Sequence, residues 1–327
     1  METRRPTNSA AEEILGGYFP VLDHGFVSLI DYMGSDESIE QAARVSYGFG
    51  TRKTSATRGL IRYLRRHRHT TPSEMVELKF HCAMPMFVAR QWIRHRTASV
   101  NEYSGRYSLM PLLFYRPGYE QFAIQSEANR QGREGDPARP EIYEEAIRRW
   151  QELREASADT YGWLVAEDVA RELSRIDLPL STYTQWYWKI DLHNLFHFLS
   201  LRADSHAQWE IRAYAEVMAG MMKRVAPLSF EAWLDYEFCG AHMSHGEMEA
   251  LRALLLPDES GLSARLDAGH ISLEDLKSYG LSAREVRELI AKLGAANRPD
   301  FELDLSAMKP AEEYETRMRE AVPGDFE

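Results

Sequence analysis

Cysteine is nearly missing from this chain. Cys82 and Cys239 are the only two in 327 residues. They are too few for a disulfide framework and form no CxxC motif, so a reducing cytoplasm is expected and a structural zinc cluster is excluded. Long apolar runs are missing too. Nothing approaches the ~20 apolar residues that a membrane span requires, and the polar start Met-Glu-Thr-Arg-Arg-Pro leads into no apolar signal core, so a soluble protein without a membrane partner is expected. Positive charge is in deficit: 39 Lys and Arg stand against 50 Asp and Glu, for a net charge of -11. That balance argues against a general nucleic-acid binder, which needs a basic surplus over its footprint. Gly48-Phe49-Gly50 lacks the third glycine of a dinucleotide fingerprint, and no internal repeat is visible.

With 44% hydrophobic residues the chain can bury a sizeable core, and its length predicts one enzyme domain plus an appendage. The expected layout is a flexible polar arm over 1–17, a catalytic domain over 18–240, and a helical extension over 241–327 that is partly disordered at its end. Apolar spacing predicts a strand over Phe26 to Tyr32, then a helix capped by Ser35 or Asp36. A second amphipathic helix starts near Arg58. Val76, Leu78, Phe80 and Cys82 alternate with polar residues as in a half-buried strand, with Cys82 a core residue, and Leu180 to Ile190 alternates likewise. Between them, Met86 to Ile93 reads as a short helix and 108–137 as a long loop. Pro140 opens a long helix with Tyr143, Ala146, Ile147, Trp150 and Leu153 as its expected buried stripe. Asp191 is the expected N-cap of a helix through Arg202, and Ser205 with Gln208 forms a capping box for the next one. Another capping box, Ser282 to Glu285, opens a helix closed by Gly294.

One stretch stands apart. Arg90 to Tyr107 holds four arginines, a histidine and a row of small hydrogen-bonding residues, with Gly105 to let the backbone come close to something. Arg90, Arg94, Arg96 and Arg106 offer planar donor forks that match phosphate bidentately and stay charged at any working pH. Ser99, Asn101 and Ser104 add neutral groups that orient a ligand. Glu102 either neutralises the arginines or accepts from a ligand's hydroxyl or ring N–H. A solvated basic loop is the plain alternative. His193 and His197 lie four apart and share a helix face, yet Asn194 stands where the zinc-hydrolase pattern needs glutamate.

The pattern Arg94-His95-Arg96-x-x-Ser99-x-Asn101-x-x-Ser104-x-Arg106-Tyr107 resembles, at every fixed position, the signature of the flavin-dependent thymidylate synthases, the ThyX family. Similarity runs from about Val21 to about Tyr236 and includes His69 to Pro72, Arg90 to Ile93 and Leu201 to Gln208. The resemblance implies an α+β fold with mixed helices packed on an antiparallel sheet. It also implies conversion of dUMP to dTMP, with 5,10-methylenetetrahydrofolate as carbon donor, FAD as redox carrier and NADPH as reductant, in a homotetramer with shared sites.

Carried over by position, the resemblance gives dUMP to Gln91, Trp92, Ile93, Arg94, Glu102, Tyr103, Ser104, Gly105, Arg106, Arg175 and Arg202. It gives FAD to Thr71, Arg94, His95, Arg96, Thr97, Glu102, Asp191, Leu192, His193 and His197. Arg202 matches the arginine set against the uracil ring, where a fixed cation near N3 and O4 favours the ionised pyrimidine. His69 joins it as a catalytic candidate, with His69, His193 and His197 where the family stacks flavin and folate. Ser104 is read as a positioning residue, and no metal is expected. The rivals are a basic nucleic-acid module built on Arg58 to Arg68 plus the signature loop, which would be colourless, and a flavin- or folate-binding relative without turnover.

Overall fold

A computed structural model describes residues 7–45, 57–126, 132–255 and 299–323. Gly48 to Gly50 and the capping box Ser282 to Glu285 lie outside them. The chain forms two compact units: residues 1–233 together with 301–327, and residues 234–300. Within the second unit, His245–Leu255 is helical.

The first unit is built on a five-stranded, wholly antiparallel sheet. Its strands are β1 (Tyr18–Val21), β2 (Gly25–Met33), β3 (Glu77–Pro85), β4 (Ser99–Glu102) and, after a small hairpin of β5 (Ala123–Gln125) and β6 (Arg133–Pro137), β7 (Tyr183–Asp191). The spatial order is β1-β2-β3-β7-β4. Its helices include α1 (Ser9–Glu12), α2 (Asp36–Arg44), α3 (Thr57–Arg66), α4 (Met86–Trp92), α5 (Pro140–Ala166), α6 (Arg171–Ser174), α7 (Leu192–Arg202), α8 (Trp209–Val225), α9 (Pro227–Trp233) and, near the C-terminus, Ala311–Glu320. The expected α+β class, helices on an antiparallel sheet, is what forms.

Period-two alternation explains the central strands. Phe80 pairs with Trp188 and Cys82 with Trp186 across β3 and β7, so one face carries Leu78, Phe80, Cys82, Trp186, Trp188 and Ile190, all buried. Each such side chain contributes about 1.5–3 kcal/mol on burial. α4, α7 and α8 cover this face. Trp92 is its centre, fully buried with ring centroids 5.1–5.8 Å from Trp186, Trp188, Phe198 and Tyr214. Burial pushes the Cys82 thiol well above its ordinary pKa, which makes it an inert core group. The opposite sheet face is more polar. There His81 is bracketed by the Tyr18 hydroxyl at 3.0 Å and the Gln185 side-chain oxygen at 2.8 Å.

Several expectations change. The arm over 1–17 is docked from Asn8 onward: α1 buries Ala11, Ile14 behind it is also buried, and Asn8 accepts from the backbone of Ala10. The loop over 108–137 contains the β5–β6 hairpin. Ser205 and Gln208 make no capping box, because Gln208 is itself the N-cap of α8 and its side chain turns to Glu210. The stripe expected on α5 is not buried, and Leu153 is 68% exposed. That helix rests on the irregular segment before it, through Tyr143 to the Pro117 carbonyl and Phe122 to Trp150, so the stripe is only partly covered: Tyr143, Ala146 and Ile147 are half-buried while Trp150 and Leu153 stay exposed. Residues 301–323 are part of the first unit: Phe301 lies against Trp233, and Lys309 forms a β-bridge with Tyr18.

Candidate active site

The signature begins where α4 ends. α4 buries Val88, Ala89 and Trp92, and this face holds the helix so that Arg90 and Arg94 emerge into solvent. The chain then turns and enters β4, the edge strand, which pairs Ser99 to Glu102 against Lys189 to Trp186 of β7. Arg90, Arg94 and Arg96 are exposed, and none has a carboxylate within ion-pair distance among the described residues. Three unneutralised guanidinium groups on one turn repel one another and favour an anion between them. Glu102 pairs with none of them. It accepts instead from the Thr184 hydroxyl at 2.8 Å, which favours the ligand-accepting reading over the neutralising one.

Arg202, the last residue of α7, reaches back to the signature. Its Nε donates to His95 Nε2 at 2.9 Å. That bond requires a neutral imidazole, and the surroundings enforce one: burial, then the Arg202 charge and His197, lower the His95 pKa to about 4. His95 also meets the edge of Phe198, with centroids 4.9 Å apart, and faces His197 at 6.0 Å. The two terminal nitrogens of Arg202 make no hydrogen bond among the described residues, and burial lowers its pKa. A half-desolvated cation thus presents a free donor fork.

Because the folded His95 pKa is lowered from 6.5 to about 4, the unfolded chain binds a proton in this window that the folded chain refuses. Stability contributed by neutral His95 is therefore present above pH 6.5 and lost as pH falls toward about 4. Thermal melts of the native protein and of His95→Asn across that range should show a shallower acid-side decline for the variant. Parallel curves would disprove the coupling.

A second group gathers at Tyr103 to Tyr107. The Tyr103 hydroxyl donates to the Leu109 carbonyl at 2.5 Å, and the amides of Tyr107 and Ser108 bond the Ser104 carbonyl, closing a tight turn. Inside that turn Gly105 is buried, and Arg175 packs directly on it: a β-carbon at Gly105 would lie 3.0 Å from Arg175 Cδ and 2.6 Å from Met110 Sδ. Arg106 pairs with Glu172 at 2.9 Å, and Arg171 donates to the Tyr107 carbonyl.

The third group lies at the start of α7. Asp191 caps the helix, with Oδ1 accepting from the Asn194 amide at 3.0 Å and Oδ2 from its side chain at 2.6 Å. The Leu192 amide donates to the Val76 carbonyl, and the adjoining 3-10 turn Thr71–Met75 packs on α7. Thr71 is exposed at the head of that turn, and His69 is exposed beside Tyr63.

Three of the carried-over residues also have structural work: the Trp92 indole fills the core, the Leu192 side chain is fully buried, and the Asp191 carboxylate caps α7, so Trp92 and Leu192 could reach a ligand only through their backbone. Gln91, Ile93, Arg94, Arg96, Thr97, Glu102, Ser104, Arg106, His193 and His197 all retain exposed surface. Three polar atoms among them and their neighbours, Gln91 Oε1, Trp92 Nε1 and His193 Nδ1, are buried without a hydrogen-bond partner. Orphaned polar atoms are costly and are kept where a ligand satisfies them. Together with the unpaired arginines they fit a polyanionic, ring-bearing group such as FAD. Local spacing could not reveal the Arg202–His95 and Glu102–Thr184 contacts, which join residues 107 and 82 positions apart.

Comparison with known proteins places the chain in a family. The family model for thymidylate synthase complementing protein matches residues 28–228. A flavin-dependent thymidylate synthase of Gluconobacter oxydans is 49% identical over 304 residues, covering 90% of this chain and 93% of that one. Its counterpart in Treponema denticola is 51% identical over 247 residues, 76% and 93% of the two chains. Among solved structures, the UMP/dUMP methylase PolB of Streptomyces cacaoi bound with 5-Br UMP superposes with a TM-score of 0.61 at 33% identity, covering 67% of this chain and 98% of that one. The matched segment contains the whole Arg90 to Tyr107 stretch, Arg175 and Arg202, so this chain belongs to the flavin-dependent thymidylate synthase family.

Proposed function

We infer that this protein catalyses reductive methylation of dUMP to dTMP, with FAD as bound cofactor, 5,10-methylenetetrahydrofolate as carbon donor and NADPH as reductant. Family membership supports the flavin-dependent methyltransferase activity. One observation carries the mechanism: Arg202 is a half-buried cation whose terminal nitrogens have no partner among the described residues while its Nε is fixed on a neutral His95. Placed against the uracil carbonyls, such a fork stabilises negative charge on the ring as the N3 proton leaves, and that charge makes C5 nucleophilic. His95 serves as a strut, since a neutral imidazole adds no charge that would compete with the pyrimidine.

The remaining roles follow from charge and position. Arg106 and Arg175, around Gly105, suit the phosphate of dUMP, and the Ser104 turn presents backbone beside it. Glu102, with one oxygen held by Thr184, accepts from a ring or sugar donor. Arg94, Arg96 and Thr97 suit the FAD pyrophosphate, while His69, Thr71, His193 and His197 offer hydrogen bonds and flat rings to the flavin and folate. Bound FAD supplies the hydride chemistry between NADPH and the one-carbon unit.

A homotetramer in the cytoplasm completes the proposal. Trp163, Leu173, Ile176 and Leu180 are 56–70% exposed, apolar surface that neighbouring chains of a tetramer would cover. The test is direct. Purified protein should be yellow, bleach with NADPH under nitrogen, form dTMP from dUMP and the folate, and sediment as four chains. Colourless protein with steeply salt-dependent nucleic-acid binding would favour the basic-module rival, and yellow protein without dTMP would favour the inactive relative.

A further inference from the structure

The C-terminal stretch 301–323 follows a route that ends at the signature turn. It starts on the helical layer, where Phe301 packs on Trp233 and Phe230, each with centroids 6.2 Å apart, Leu303 covers Gly220, and Glu302 pairs with Lys223. Met308 then seats against Gly17, and Lys309 exchanges two backbone hydrogen bonds with Tyr18, 2.7 and 2.9 Å, at the outer edge of the sheet. The helix Ala311–Glu320 crosses the sheet face opposite α7 and α8. On it Tyr314 stacks on Tyr18 and meets Phe26 edge-on at 4.2 Å. One turn later Met318 joins Tyr314 in a narrow crevice with Tyr103, Pro111 and Gln185. At its end, the Ala321 carbonyl accepts from the Leu112 amide at 2.9 Å.

Those last contacts fall on the segment that seats Gly105. Pro111 and Leu112 follow Met110, whose buried sulfur lies against Gly105 and whose amide donates to the Tyr161 hydroxyl oxygen at 2.9 Å. Gly105 in turn is the surface on which Arg175 rests. A continuous packed path therefore runs from Tyr314 and Met318 through Tyr103 and Leu112 to Met110, Gly105 and Arg175.

We propose that residues 309–321 are an intramolecular brace for the nucleotide half of the site, with Tyr314 and Met318 as positioning residues that hold the Tyr103 to Met110 turn in shape for dUMP. They touch no substrate and act through the turn. This rests on the function proposed above, because the turn is read there as the phosphate seat. The brace also accounts for a helix that is otherwise poorly suited to stand alone: Ala311–Glu320 has 10 residues and buries none fully, so it needs an anchor at each end, and the Tyr18 bridge and the Leu112 bond supply them.

The experiment compares the full-length protein with Tyr314→Ala/Met318→Ala, with Tyr314→Phe, and with a chain ending at Met308. Each is measured for dUMP affinity by calorimetry, FAD per chain by absorbance, and thermal midpoint. The double variant and the truncation should bind dUMP about tenfold more weakly, a typical size for coupling through packed contacts, at unchanged FAD content. Tyr314→Phe keeps the ring and should bind like the native protein. Native affinity in the double variant overturns the brace, and so does a parallel loss of dUMP, FAD and thermal midpoint, which is the mark of general unfolding. If the truncated chain fails to fold, the double variant against Tyr314→Phe decides alone. If the native protein itself ignores dUMP, the proposed function falls and takes the brace with it.

Discussion

Replacing Arg202 with alanine should lower kcat/KM for dTMP formation by about 10²- to 10³-fold, the usual cost of deleting one preorganised donor from a site of developing charge. The residue is expected to act on the ring and not on the fold. It stands at the end of α7, half exposed, and its one hydrogen bond within the described structure goes to His95. His95 has other support in the edge of Phe198, so the FAD-facing side of the turn should survive and the purified variant should keep its yellow colour. Arg202→Lys should fall between the two, since the charge remains while the planar fork is lost. Steady-state rates alongside flavin absorbance give the answer. Turnover within threefold of native in the alanine variant would remove Arg202 from the chemistry.

The central strands could be read from the amino acids because antiparallel pairing with one buried face writes its period into them. Phe80, Cys82, Trp186 and Trp188 alternate with polar residues for that reason. The edges could not. β4 is exposed at all four positions and carries no alternation, so only its ladder to β7 makes it a strand. β1 is short and contains Pro20, an edge signature that argues against strand when read alone. α5 misled in the opposite direction: its apolar spacing is real, but periodicity reports that a face is covered and not by what. The site shows the same division. The arginines and small polar residues crowd into one legible stretch, whereas Trp92, inside that stretch, and Leu192, at the start of α7, are buried in the core. Contacts such as Arg106 with Glu172 or Arg202 with His95 depend on how distant segments meet, which no local spacing encodes.

Gly105 gives the sharpest test of the nucleotide half of the site. No special backbone angle requires glycine here; the space does. An alanine β-carbon would sit 2.6 Å from Met110 Sδ, 3.0 Å from Arg175 Cδ and 3.1 Å from its Nη1. Met110 is only 2% exposed and cannot swing into solvent, so the side chain with room to retreat is Arg175. Gly105→Ala should therefore move the arginine off its seat and raise the Kd for dUMP by about 10- to 100-fold, in line with a charge-assisted contact to phosphate worth about 1.5–3 kcal/mol. FAD content should stay unchanged, because the residues proposed for its pyrophosphate precede β4. The collision can also be relieved. Gly105→Ala/Met110→Ala clears the closest atom and should recover part of the lost affinity, although the cavity left by Met110 costs stability. Calorimetry on both variants separates the cases: recovery in the double variant identifies crowding at this seat as the cause, and equal weakness in the two would show that Arg175 owes its position to something other than Gly105.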